Sequence, residues 1–195
     1  AERKRYVKMI LLILLFVAAV GIGLIRGGRI SNLTHIKIRR PWLIFLSVLV
    51  EYILIYLMRN TSRITQPLAC LFLFLQYLLL FLFLWENRML SYIWLIGMGS
   101  FLNFLVILVN KGSMPLSKAA MTVDANSRNM QYLANGKYLT YHILNSNSKL
   151  WLLGDVIFVP PPVQSFLSIG DIILFLGILL LIQNIIAGKP ERKAS

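Results

Sequence analysis

The chain has 195 residues, 58% of them hydrophobic, and a formal net charge of +13 from 20 Lys+Arg against 7 Asp+Glu. A soluble domain is about 45–50% apolar; here the excess is gathered into a few long runs, which excludes an ordinary soluble enzyme and a disordered tail alike. The basic residues lie between those runs, so they read as charges flanking membrane helices and touching lipid headgroups rather than as a nucleic-acid surface.

A spanning helix needs about 20 mostly apolar residues, and five segments qualify in chain order. The first, 9–25, follows Arg3, Lys4, Arg5 and Lys8 and is expected to be an uncleaved helix, ended by Gly27 and Gly28. The second, 42–57, opens after Arg39-Arg40-Pro41 with Trp42 at the interface. The third, 67–85, ends on Trp85, and the fourth, 90–109, carries Tyr92 and Trp94 near its start. The fifth is 166–186. The expected fold is one all-α integral membrane domain over 1–195, with five transmembrane helices and a long, partly structured extramembrane loop at 110–165.

That loop is too rich in aromatic and aliphatic residues for disorder. A short helix is expected from Pro115 to Met121, a stiff polyproline spacer at Pro160-Pro161-Pro162, and an interfacial dip or a strand over 151–159. With the long loop set aside, the N-terminal side carries six Lys+Arg and the opposite side nine. The positive-inside rule then favours the N-terminus and the loop outside and the C-terminus in the cytoplasm.

Polar groups at bilayer depth are costly unless partnered. Glu51, Gln76 and Asn103 fall at similar depths on the second, third and fourth runs, so one hydrogen-bonded cluster is expected. It would be either a proton, cation or headgroup site, or glue between helices. Gly97, Gly99 and Ser100, like Gly21 and Gly23, make small-residue patches that suit close helix packing.

On the loop face, Asn110, Asp155, Ser168 and Asp171 offer oxygen ligands of the kind a hard cation takes. The bland alternatives are a Gly-Asp turn at Asp155 and, at the fifth helix, a Ser168 cap with Asp171 in the first turn. Arg26, Arg29, Lys37, Arg39 and Arg40 are expected to contact lipid headgroups. Cys70 is the single cysteine, which excludes an intramolecular disulfide; no P-loop, GxSxG or HExxH is present, and no cofactor is implied.

Four short sequences occur in order: Arg26-Gly27-Gly28-Arg29-Ile30-Ser31-Asn32-Leu33, Asn110-Lys111-Gly112-Ser113-Met114-Pro115, Leu153-Gly154-Asp155 before the three prolines, and Ser168-Ile169-Gly170-Asp171. With them the chain resembles a bacterial family of small multi-pass integral membrane proteins of unknown function. The resemblance implies the cytoplasmic membrane of a bacterium and brings no activity. The expected function is a non-enzymatic accessory or scaffold subunit packing against lipids and other membrane subunits. One alternative is a small transporter or ligand-binding protein using Glu51, Gln76 and Asn103. Another is a lipid-headgroup enzyme with a metal at Asp155 and Asp171.

Overall fold

A computed structural model describes residues 2–61, 64–123, 128–135, 138–161 and 163–189, with side-chain surroundings from residue 13 onward except at 128, 129 and 134. In chain order the helices are α1 (Glu2–Ile25), α2 (Trp42–Asn60), α3 (Gln66–Glu86), α4 (Ile93–Val109), α5 (Ala120–Val123), α6 (Arg128–Ala134) and α7 (Ile169–Ile186). Four three-residue strands, β1 (Met114–Leu116), β2 (Tyr141–Ile143), β3 (Ile157–Val159) and β4 (Ser165–Leu167), lie between α4 and α7. The all-α expectation is corrected there.

Three helices, α2, α3 and α7, are long and apolar enough to cross a membrane. α4 is apolar over 17 residues, and α1 over Ile13–Ile25. Their outward faces are as apolar as a core: Phe45 is 73% exposed, Leu71 61% and Phe101 52%. Contiguous apolar surface of this extent is foreign to a monomer in water.

The five long helices pack as an open row in the order α2, α3, α4, α7, α1. The tightest seam is α4 on α7. A Cβ at Gly99 would collide with the Gly170 carbonyl oxygen and lie 2.6 Å from the Leu174 nitrogen, and one at Gly177 would lie 2.8 Å from the Ile96 nitrogen. Glycine is required at these positions because backbone meets backbone. Of the glycines in the predicted small-residue patches, Gly99 alone meets backbone, and Gly23 meets a side chain. Gly23 presses on Ile186, whereas Gly21 faces open space and Gly97 makes ordinary contact with Leu84.

Residues between α4 and α7 fold into a cap over one end of the row. β1 pairs in parallel with β2, β3 pairs antiparallel with β4, and Leu116 bridges to Asp155. A small core of Leu116, Ala120, Met130 and Phe166 holds the cap together. Tyr138 and Leu139 seat it on the α2–α3 pair beside Leu54, Met58, Ala69 and Leu73.

Several boundaries differ from the sequence reading. The expected helix at Pro115 starts only at Ala120, because Met114–Leu116 finds backbone partners across the cap. The fourth helix starts at Ile93 rather than 90, since Tyr92 takes the left-handed conformation at φ 62°. The fifth starts at Ile169 rather than 166, because Ser165–Leu167 belongs to β4. Pro160 and Pro161 lead into a hairpin turn closed by Gln164 N–H to the Pro160 carbonyl at 3.2 Å, not a stiff spacer; Pro162 lies outside the described residues.

Candidate functional site

α2 is the terminal helix of the row, and Glu51 is its midpoint. Gln76 is the midpoint of α3. The Gln76 side-chain amide donates to a Glu51 carboxylate oxygen at 3.0 Å, and one turn earlier Ser47 donates to the Gln76 backbone carbonyl at 3.0 Å. Glu51 is nonetheless exposed, and Tyr52 beside it is 54% exposed. The pair thus opens outward from the row, at mid-helix depth, and not into a cavity between helices.

Asn103 does not join it. It lies on α4 facing α7, where its amide donates to Asp171 at 2.8 Å and its carbonyl oxygen accepts from the Ser168 hydroxyl at 2.7 Å. Ser168 and Asp171 form a capping box: the Asp171 N–H donates to Ser168 Oγ at 2.8 Å, and the Ser168 N–H donates to the Asp171 carboxylate at 3.3 Å. The first turn of α7 is thereby closed and tied to α4. A Cβ on Gly170 would strike the Asn103 side chain, so SIGD is a packing and capping motif.

The remaining predicted oxygen ligands also hold structure. Asn110 ends α4 and clamps a remote peptide: its amide donates to the Lys149 carbonyl at 2.8 Å, and its oxygen accepts the Lys149 N–H at 2.8 Å. The same amide reaches back to the Val106 carbonyl at 2.8 Å. Asp155 is buried in the cap, with its backbone N–H donating to Pro115 and its carbonyl accepting from Ser117. Among the described residues, no group of three or more His, Cys, Asp or Glu could hold a metal ion.

Asn87 was not singled out by the sequence, yet it repeats the Asn110 device at the other end of the row. It ends α3, bonds the Phe83 carbonyl one turn back at 2.8 Å, and exchanges two bonds with the Arg39 peptide at 2.8 and 2.9 Å. The only signal in the sequence was an Asn two residues after an apolar run, behind Glu86. The GGR-x-SNL motif works nearby: the Arg29 N–H and the Asn32 side chain both donate to the Ile186 carbonyl, at 2.9 and 2.8 Å, and cap the end of α7.

Arg26, Arg29, Lys37, Arg39 and Arg40 are all exposed at that same end. Arg40 pairs with Glu86 at 3.2 Å and Arg26 reaches Gln183 at 3.4 Å. In the cap, His142 lies between Ser113 and Ser148 at 2.8 and 2.9 Å. Burial pulls its pKa below the usual 6.5. An open groove of about 380 Å³ between α3 and α4 is lined by apolar side chains and Cys70, among them Phe74, Phe104 and Leu108, and offers a polar ligand no anchor.

A family model described as a family of unknown function (DUF5317) matches residues 35–183. No curated protein and no solved structure matches.

Proposed function

The chain belongs to DUF5317, a family of unknown function, and we propose that within it this protein is a non-enzymatic membrane scaffold that crosses the bilayer five times and offers the outer face of α2 to another membrane protein. One observation carries this reading: the Glu51–Gln76 pair opens outward at mid-depth from the terminal helix of the row. A carboxylate at the centre of a bilayer costs roughly 2.5–3.5 kcal/mol even on the mildest scale. A surface that carries one in place of an aliphatic residue is suited to protein rather than to lipid tails.

The open row supports the same reading, because among the described residues α1 and α2 each pack closely on one long helix only. The exposed basic residues of the 26–41 connection favour the cytoplasm for that end, with the cap and the N-terminus outside. A transporter built on Glu51, Gln76 and Asn103 needs one shared cavity, and the third residue faces a different seam. A headgroup enzyme at Asp155 and Asp171 would have to draw on a carboxylate that already caps α7 and accepts from Asn103, with Asp155 buried in the cap.

The test is photo-crosslinking in native membranes, with benzoylphenylalanine in place of Tyr52 and, for comparison, of Leu176 on the outward face of α7. Protein adducts from position 52 are expected. Lipid adducts alone from position 52 would contradict the scaffold reading.

A further inference from the structure

We propose that the groove between α3 and α4 holds an acyl chain of an anionic phospholipid, with Lys111 and Lys149 of the cap meeting its phosphate. This goes beyond the scaffold reading and does not depend on it, because it concerns the α3–α4 seam and not the outer face of α2.

The groove starts at the cap. Pro67 and Cys70 in the first two turns of α3, and Ile107 and Leu108 in the last turn of α4, line its upper part; Phe74 and Phe104 line its lower part. Pro67 to Phe74 covers about 10 Å of helix axis at 1.5 Å per residue. The tails of one leaflet span about 15 Å, half of the hydrocarbon core. The groove therefore matches the part of a tail next to its headgroup. Its volume of about 380 Å³ is too small for a helix to settle in: a cylinder about 10–12 Å across and 10 Å long takes roughly 800–1,100 Å³. Apart from the Cys70 thiol its lining is aliphatic and aromatic, which suits a tail and not a headgroup.

Charge is supplied at the upper end. The Gln66 side-chain amide donates to the Lys111 carbonyl at 2.8 Å, and a Cβ on Gly112 would lie 3.0 Å from the Cys70 Cβ. The 111–112 backbone is therefore drawn onto the start of α3, at the end of the groove. Asn110, one residue earlier, grips both sides of the Lys149 peptide at 2.8 Å. Two lysines distant in sequence are thus gathered at one spot, and both are exposed. Trp151, two residues beyond Lys149 and 47% exposed, is of the kind that settles at headgroup level. Lipid phosphates lie at that depth, and two ammonium groups above a hydrocarbon slot complement an anionic lipid in both its parts.

The test is native mass spectrometry of the full-length protein released from nanodiscs of equal phosphatidylglycerol and phosphatidylcholine with identical chains. One retained lipid is expected, with phosphatidylglycerol favoured at least about tenfold, since a lysine near the headgroups contributes about a fivefold preference. Lys111→Gln with Lys149→Gln is expected to bring that preference to within twofold. Leu108→Trp, at a position 48% exposed where the ring has room to fill the groove, is expected to cut retention of either lipid at least fivefold with the thermal unfolding midpoint in place. If that variant fails to fold, Leu71→Trp, 61% exposed on the α3 wall, reads the same loss.

Equal retention of the two lipids by the wild type overturns the proposal, as does a preference that survives the lysine changes or a retention that survives the tryptophan. Benzoylphenylalanine in place of Leu108 in native membranes is expected to give lipid adducts; protein adducts there overturn the proposal in favour of a partner helix. None of these outcomes bears on position 52, whose adducts decide the scaffold reading by themselves.

Discussion

At the scale of single residues, much of the polar chemistry in this chain closes backbone ends. Asn110 illustrates it. Three bonds run from one side chain to the Val106 carbonyl and to both sides of the Lys149 peptide, so the cap is pinned to the last turn of α4. Asn110→Ala is expected to cost about 1–3 kcal/mol through unmet backbone groups, seen as faster amide hydrogen exchange at Lys149 while exchange in α7 is unchanged. His142 gives the cap a pH dependence. Its folded pKa lies below 6.5 because burial penalises the charged ring, so below pH 6.5 the unfolded cap takes up a proton before the folded one. The stabilisation is therefore complete above pH 6.5 and is lost as pH falls towards the lowered folded value. Exchange of residues 138–149, corrected for intrinsic rates, is expected to rise between pH 7.5 and pH 5 in the wild type. Equal protection at both values would refute it. Neither role was legible beforehand. Asn110 and Lys149 are 39 positions apart, and His142 stands in a loop with nothing local to mark Ser113 or Ser148 as its neighbours.

At the scale of elements, the long apolar runs announced the helices, because hydrocarbon demands length and apolarity that composition displays directly. Their limits were less visible. Phe166 and Leu167 share the apolar character of α7 but are drawn into β4 by pairing with β3. Strands of three residues joined across long separations leave no alternating pattern to read. The small-residue patches were visible, but not which glycine each neighbour uses. That difference supplies its own control. Gly99→Leu is expected to break the α4–α7 seam by at least the 1–3 kcal/mol or so typical of overpacking, since its side chain would meet the Gly170 backbone. Gly97→Ala, two residues away, meets only Leu84 at 3.8 Å and is expected to leave the thermal unfolding midpoint in place. If both variants behave alike, the seam does not lie where the structure puts it.

At the scale of the whole molecule, the helices form a row with a cap at one end and a basic, Asn87-clamped end opposite. The five-helix reading makes the 17-residue α4 and the apolar part of α1 cross the bilayer along with α2, α3 and α7. Sidedness decides it. Five crossings place the 26–41 connection and the cap on opposite faces of the membrane. Crossing by α2, α3 and α7 alone places them on the same face. In a Cys70→Ala background, His35→Cys reports on the connection and Asn147→Cys on the cap, both sites being exposed. The deciding measurement is labelling of each by a membrane-impermeant maleimide in right-side-out and inverted vesicles. Position 147 is expected to label only in right-side-out vesicles and position 35 only in inverted ones; labelling of both in the same vesicles would contradict the five-helix row.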